Sequence, residues 1–279
     1  MLLSEIRREA GMSLPGAEHP IFAEADPILQ EAARRGLVLR LAGSAGVLRH
    51  CEHCHRAAGA LRREPPGDLD FFAYGKQQRE LGRMFADLGY QADPSVAYSQ
   101  EYGIDRLIYT GHASAAKLDV FLDVLRMSHT IEFKTRLDCI PPTAQSADLL
   151  LSKLQIHEIT EKDVKDMVAL FASHPLGDGS HGTIESHHIV SLMARDWGLC
   201  YTALENLEIA EDLLAGWESA GSVAVHAAAG IEELKERIEL APKSVRWKAR
   251  ARLGTRVRWY EHVGDAQQQG QGDAGIGER

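Results

Sequence analysis

The chain lacks any apolar run close to the ~20 residues that a membrane-spanning helix needs. Its opening residues, Met-Leu-Leu-Ser-Glu-Ile-Arg-Arg-Glu, carry charges too early for a signal peptide. The four cysteines, Cys51, Cys54, Cys139 and Cys200, do not form the framework of a secreted, disulfide-bonded protein. We therefore expect a cytoplasmic protein with reduced thiols and no membrane partner.

The chain also lacks a P-loop and internal repeats. Its glycine-rich segment from Gly177 to Gly182 is without the Lys and the Ser or Thr that complete a phosphate-binding P-loop. We interpret this segment as a connection between helices. The histidines around it are not singled out by their spacing as an acid or a base: His174, His181, His187 and His188.

The composition is that of an ordinary globular protein. The 279 residues suffice for one large domain or two small ones. Apolar residues make up 44% of the chain and charged residues 25%, which is typical of soluble proteins. The net charge of −9 argues against a general nucleic-acid coat but is compatible with a local basic patch.

The hydrophobic pattern predicts an α+β fold, with a small mixed sheet followed by a helical domain. In the first part we expect helices at 24–36, 43–61 and 76–88, strands at 37–41 and 68–74, and a hairpin of 106–109 with 117–125. After Pro141-Pro142 we expect helices at 146–156, from 160 onward, and at 185–197, 203–219 and 230–240. The predicted domains are 1–143 and 144–262, with a disordered tail at 263–279 that is rich in Gly and Gln.

A group of aspartates and a Gly-Ser turn point to chemistry on phosphates. Asp68 and Asp70 stand two apart in a strand, so their carboxylates share one face. Asp119, on a paired strand, is the third candidate ligand for Mg²⁺ or Mn²⁺, which such clusters bind through hard oxygens. Gly43 permits close backbone approach to a phosphate, and the Ser44 hydroxyl can donate to it at the start of a helix.

Two simpler interpretations stay open at this point. An Asp-x-Asp motif at a strand edge is often a solvated loop end, and Gly-Ser is common in turns. The third ligand is also ambiguous, because Asp123 lies on the same predicted strand face as Asp119. We favour Asp119, since Asp123 is nearer the strand end.

The order of these motifs resembles the nucleotidyltransferase superfamily of the DNA polymerase β type. Two later segments, Ala147 to Lys153 and Glu161 to Asp166, are similar to the AbiEii-type toxin nucleotidyltransferases, in which an LxxxK helix precedes an RDxxD helix. The resemblance covers residues 37–172. Lys162 stands where that family usually has Arg.

The resemblance implies a nucleotidyltransferase core over 1–143 and a role for each motif residue. Asp68, Asp70 and Asp119 would bind the metal, and Gly43 and Ser44 the nucleotide. Lys153 would contact the phosphates, and Asp163 would orient Lys153 or assist the acceptor.

The resemblance also implies a reaction and partners. A nucleoside monophosphate would pass from a nucleoside triphosphate to an acceptor hydroxyl of tRNA or protein, and a cognate antitoxin would be a partner. Transfer to a small molecule such as an aminoglycoside is an alternative, and an inactive nucleotide-binding regulatory module is another.

A Cys/His cluster and a basic segment leave further alternatives open. His50, Cys51, Cys54 and His55 have a zinc-like Cys-x-x-Cys spacing but no second pair, so we weigh zinc and redox chemistry against ordinary helix packing. The segment from Lys243 to Tyr260 has seven basic residues and interleaved aromatics. It predicts either a tRNA contact surface or a terminal amphipathic helix with packed aromatics.

Overall fold

The computed structural model describes residues 20–50, 52–94, 105–111, 117–180, 182–217 and 221–262. The predicted tail at 263–279, Cys51, His181 and the predicted hairpin turn at His112 lie outside these residues. Within them, the fold combines helices with a mixed sheet, so the predicted α+β class is confirmed. No described helix combines the length and the apolar character needed to cross a bilayer.

A five-stranded sheet forms the centre of the first part, in the order β1-β2-β5-β4-β3. Its strands are β1 (Leu39–Ala42), β2 (Leu69–Ala73), β3 (Gln91–Ala92), β4 (Arg106–Thr110) and β5 (Lys117–Leu122). The β2–β5 pair is parallel, and the other pairs are antiparallel. The predicted antiparallel pairing of the 106–109 and 117–125 segments is therefore confirmed for β4 and β5.

Within the described residues, four helices accompany this sheet: α1 (Pro20–Arg34), α2 (Gly43–His50), α3 (Glu52–Ala60) and α4 (Gln78–Asp87), the last preceded by a 3₁₀ turn at Gly75–Gln77. The prediction that α1 closes at Gly36 is confirmed, because Gly36 has the φ of +71° that glycine adopts at helix ends. Where one helix was predicted over 43–61, the structure describes α2 and α3 on either side of Cys51, which lies outside the described residues.

The strand predicted over 117–125 is also wrong beyond Leu122. Asp123 has a φ of +62°, which turns the chain out of β5 and into a separate hairpin of β6 (Val124–Arg126) and β7 (Thr130–Glu132). Asp123 therefore does not share a strand face with Asp119. Its carboxylate instead lies 3.7 Å from Lys134 Nζ.

The second part is helical, as predicted, apart from the two short strands β8 (Leu176–Gly177) and β9 (Ile184–Glu185). Its helices are α5 (Ser146–Leu154), α6 (Glu161–Ser173), α7 (Ser186–Met193), α8 (Trp197–Gly216), α9 (Gly221–Leu240) and α10 (Val245–Ala251). The predicted helix at 185–197 ends early because Asp196 caps α8, accepting a 3.0 Å hydrogen bond from Leu199 N.

The two parts share a hydrophobic core. One buried cluster joins Val47, Phe72 and Phe121 of the first part to Leu149 and Leu150 of α5. A second cluster fills the opposite face of the sheet, against α1 and α4.

The chain around the predicted boundary is itself hydrogen-bonded to β1. Leu41 N donates to Pro142 O at 2.8 Å, and Ala144 N donates to Leu41 O at 3.0 Å. The helical part is thereby fixed against the sheet face that carries the candidate site.

Candidate active site

Asp70 and Asp119 lie side by side on the central parallel strands. They are register partners in the β2–β5 pair, and both line the same cavity. Burial, followed by the negative charge of Asp119, raises the pKa of Asp70 to about 6. Two of the three aspartates predicted to bind metal therefore lie on neighbouring strands, with like charges held close together.

Asp119 is paired with cations from its own hairpin. Arg106 Nη2 lies 2.7 Å from Asp119 Oδ2, and Arg106 Nε lies 3.2 Å from Oδ1. Lys117 Nζ lies 3.6 Å from the same Oδ2. Both carboxylate oxygens of Asp119 thus accept hydrogen bonds from one guanidinium.

Asp68 does not join the pair in the cavity. It precedes β2, its side chain is exposed, and it does not line the cavity. Among the described residues, no three His, Cys, Asp or Glu side chains are grouped closely enough to hold a metal. Mg²⁺ carried with a nucleotide uses one or two carboxylates plus phosphate oxygens. The donor set of Asp70 and Asp119 fits that requirement without Asp68.

Gly43 is required by the position of Asp70. Its φ is +56°, and a Cβ atom there would lie 2.0 Å from Asp70 Oδ2. The sequence predicts close approach of Gly43 to a phosphate. The structure adds a close approach to the Asp70 carboxylate.

Ser44 faces the helical part. Its hydroxyl donates to Asp166 Oδ2 at 2.7 Å and accepts from Lys153 Nζ at 3.4 Å. The Ser44 hydroxyl, which the sequence predicts to donate to a phosphate, therefore donates to the Asp166 carboxylate instead.

Lys153 is buried between two carboxylates of α6. Its Nζ lies 2.8 Å from Asp163 Oδ1 and 2.9 Å from Asp166 Oδ2. Burial opposes the charge, but Asp166 and Asp163 outweigh it and raise the pKa of Lys153 above its usual range. Lys153 is therefore a charged group with its neutralising partners already in place.

Asp163 also stabilises the start of α6, as its sequence position predicts. Thr160 Oγ1 accepts from Asp163 N at 3.3 Å and donates to Asp163 Oδ2 at 2.7 Å. Burial raises the pKa of Asp163, yet Lys153 more than offsets this and leaves the pKa lowered.

Asp166 and Arg106 are site residues to which the sequence analysis gave no role. Asp166 is fully buried and accepts from Arg63 Nε at 2.7 Å, in addition to Ser44 and Lys153. Its spacing of three from Asp163 places both on one face of α6, and that spacing was the available signal. Arg63, in the loop before Glu64-Pro65-Pro66, carries no sequence signal.

The Asp70–Asp119 pair, Ser44 and Lys153 border a cavity of about 460 Å³, which is within the range of small-ligand sites. Three acidic and three basic side chains line it: Asp70, Asp119, Asp163, Arg106, Lys153 and Lys162. Five apolar side chains also line it: Phe72, Phe121, Leu125, Met127 and Ile156. Lys162 has no ion-pair partner among the described residues, so it is a cation available to an anionic ligand.

The Cys/His cluster stays a prediction. His50 Nδ1 lies 2.8 Å from Thr143 Oγ1, and the His50 ring packs edge-on to His174 at 5.0 Å. The side chains of Cys51, Cys54 and His55 lie outside the described residues.

The basic C-terminal segment has packed aromatics. Trp259 Nε1 donates to Thr202 Oγ1 at 3.1 Å, and Tyr260 stacks on His157 with ring centroids 3.5 Å apart. The basic side chains that remain exposed include Arg246, Lys248, Arg252 and Arg256. Trp259 and Tyr260 are packed, as the second interpretation predicts, but they lie beyond α10 and not in a terminal helix, and the four basic side chains stay exposed.

The chain matches no protein-family model, no curated protein sequence and no solved structure.

Proposed function

We propose that the protein is a metal-dependent nucleotidyltransferase that moves a nucleoside monophosphate from a nucleoside triphosphate to an acceptor hydroxyl. The observation that carries the proposal is the Asp70–Asp119 pair, which lies beside Gly43 in a cavity of nucleotide size. Two crowded carboxylates favour a divalent cation, because it relieves their mutual repulsion.

The reaction would be an in-line displacement at the α-phosphorus. The acceptor oxygen forms a new P–O bond, the bond to the bridging β-phosphate oxygen breaks, and pyrophosphate leaves with that electron pair. The acceptor proton passes to solvent or to the acidic pair. A bound Mg²⁺ or Mn²⁺ would supply Lewis-acid stabilisation of the phosphate charge.

The chain's own residues supply orientation and charge. The apolar side chains that line the cavity, such as Phe72 and Phe121, suit a nucleobase, and the charged side chains suit the phosphates. Lys162 is the cation there without a described partner, whereas Lys153 is held by Asp163 and Asp166. Lys162 is therefore the better placed of the two lysines to gain a phosphate contact.

The proposed acceptor rests on the exposed basic side chains of the segment from Lys243 to Tyr260. The exposed Arg246, Lys248, Arg252 and Arg256 favour an RNA acceptor such as tRNA, because they offer charge to a phosphate backbone. Packing of Trp259 and Tyr260 leaves those two aromatics unsuited to base stacking.

Nucleotide binding without turnover is a second candidate function. The ion pair of Arg106 with Asp119 and the exposure of Asp68 favour it, since only Asp70 of the three predicted ligands is both in the cavity and not engaged by an arginine.

The test is incubation with each nucleoside triphosphate, Mg²⁺ and total tRNA, following pyrophosphate release and RNA labelling together. The proposal predicts both signals for the wild type and neither for a folded Asp70→Ala variant. Nucleotide binding without pyrophosphate release across RNA, protein and aminoglycoside acceptors would favour the binding module. Full activity in the Asp70→Ala variant would refute the assignment.

A further inference from the structure

The Arg106 guanidinium lies against the Asp119 oxygens that would have to be free for Asp119 to bind a metal ion. Its two guanidinium nitrogens lie 2.7 and 3.2 Å from the two oxygens of Asp119. This fork geometry is the one in which arginine binds carboxylates and phosphates most strongly. A cation cannot use those carboxylate oxygens in the same way until the guanidinium moves.

The neighbouring carboxylate, that of Asp70, has no such partner among the described residues. Asp70 accepts no side-chain hydrogen bond and forms no ion pair among the described residues. The acidic pair is thus asymmetric, with Asp119 neutralised by Arg106 and Asp70 left for another positive group.

The Arg106 side chain reaches the cavity. Its side chain is 22% exposed, compared with 8% for Asp119, and it lines the cavity. Its backbone is fixed in β4 opposite Phe121, and the guanidinium lies 5.2 Å from the Phe121 ring centroid. A rotation of the side chain alone therefore carries the charge from Asp119 into the cavity.

We propose that Arg106 is a positioning residue that holds Asp119 until metal and nucleotide bind, and then transfers its guanidinium to the nucleotide phosphates. This inference rests on the proposed function, because it takes the cavity ligand to be a metal-bound nucleoside triphosphate. No proton moves in the exchange, since arginine stays charged in both positions.

The exchange predicts opposite effects on two affinities. Without nucleotide, Arg106 competes with the cation for Asp119, so removing it strengthens metal binding. At saturating metal concentration the metal ion occupies Asp119 and Arg106 contacts the phosphates. Removing the Arg106 side chain then weakens nucleotide binding. A structural role for Arg106 would not produce opposite signs.

The experiment compares the wild type with Arg106→Gln and Arg106→Lys. Mn²⁺ binding without nucleotide is measured by electron paramagnetic resonance, and binding of the four nucleoside triphosphates at saturating Mg²⁺ by calorimetry. We expect Arg106→Gln to bind Mn²⁺ about three- to tenfold more tightly. Its affinity for the preferred nucleotide should fall about tenfold. Arg106→Lys, which keeps the charge but loses the fork, should lie between wild type and Arg106→Gln in both.

Arg126→Gln is the matched control. Arg126 forms a similar ion pair with Asp105 at 2.7 Å, but its side chain is 58% exposed and lies outside the cavity lining. It should change neither affinity, and circular dichroism with thermal unfolding verifies that each variant is folded.

The outcomes separate the inference from the proposed function. Equal or weaker Mn²⁺ binding by Arg106→Gln, with nucleotide binding intact in the wild type, overturns the inference alone. Tighter Mn²⁺ binding with unchanged nucleotide affinity also overturns it, because no transfer to phosphate then occurs. Absence of Mn²⁺ and nucleotide binding in every variant overturns the proposed function with it.

Discussion

Ser44 and Asp166 lie 122 residues apart in the chain, yet the Ser44 hydroxyl donates a 2.7 Å hydrogen bond to the Asp166 carboxylate. The same carboxylate accepts from Arg63 and lies 2.9 Å from Lys153 Nζ. One buried aspartate on α6 therefore connects the Gly-Ser turn, the loop after α3 and α5. The position of the Gly-Ser turn depends on the helical part of the protein.

The first prediction concerns that buried carboxylate. Asp166→Asn should destabilise the protein by about 3 kcal/mol, because it removes a charge and leaves Arg63 and Lys153 buried with fewer partners. Urea unfolding followed by circular dichroism measures the change. The control is Glu161→Gln. Glu161 forms an ion pair with Lys165, but its carboxylate is 59% exposed, so the free energy of unfolding should change by less than about 0.5 kcal/mol. Equal losses in both variants would show that the buried network is not a stabilising connection.

The second prediction separates the aspartates of the Asp-x-Asp motif. Asp70→Asn should lower transfer at least about 100-fold, whereas Asp68→Asn should cost less than about tenfold, because only Asp70 lines the cavity. Steady-state rates at several Mg²⁺ concentrations measure both, with thermal unfolding as a check of folding. Losses of the same size would restore Asp68 to the metal site.

The third prediction concerns Gly43. Gly43→Ala should destabilise the protein by about 1–3 kcal/mol and displace the Asp70 carboxylate, because the new Cβ would lie 2.0 Å from Asp70 Oδ2 at a positive φ. Gly59→Ala is the control, since a Cβ at Gly59 has no neighbour within 4 Å and that helical position gains from alanine. Unfolding midpoints and Mn²⁺ affinity measure the two effects. A Gly43→Ala protein of wild-type stability and affinity would be contrary to this geometry.

The fourth prediction is a pH dependence of stability. His129 is buried, its Nε2 lies 2.9 Å from Thr202 Oγ1, and burial lowers its pKa to about 4 against the opposing charge of Asp196. Because the folded protein prefers neutral His129, this contribution is present above the unfolded pKa of about 6.5 and is lost as the pH falls towards 4. The loss amounts to up to about 3 kcal/mol.

Urea unfolding between pH 7 and 4 checks this. As the pH falls from 7 to 4, His129→Gln should lose up to about 3 kcal/mol less stability than the wild type, while the exposed His226→Gln should retain the wild-type slope. Burial lowers the pKa of His188 to about 4 and raises the pKa of Asp70 and of Asp148 to about 6. These groups act with opposite signs in this window, so the contribution of His129 is the difference between the two slopes. Identical slopes for wild type and His129→Gln would contradict the assignment.

Local patterns predicted the elements on which the site stands. Strand alternation predicted the strand that carries Asp70, although β2 starts only after Asp68, and the helix predicted from 160 onward is α6. Asp119 was also predicted as a candidate on a neighbouring strand, although nothing in the sequence specifies the parallel β2–β5 register that pairs it with Asp70.

The remaining features depend on contacts between distant segments. Arg63 and Asp166 are separated by 103 positions, and no periodicity relates them. The break at Asp123 arises from a positive φ that an aspartate adopts without a glycine signal. The Arg106–Asp119 ion pair needs the β4–β5 register, which the residue types alone do not specify.

The most direct measurement of the central claim uses one nucleoside triphosphate labelled in turn on its α- and γ-phosphate, with Mg²⁺ and total tRNA. Nucleotidyl transfer predicts that the α label appears on the acceptor and that the γ label appears in pyrophosphate, both at wild-type level only when Asp70 is present. Transfer of the γ label to the acceptor, or transfer of the α label by Asp70→Asn at the wild-type rate, would contradict the account.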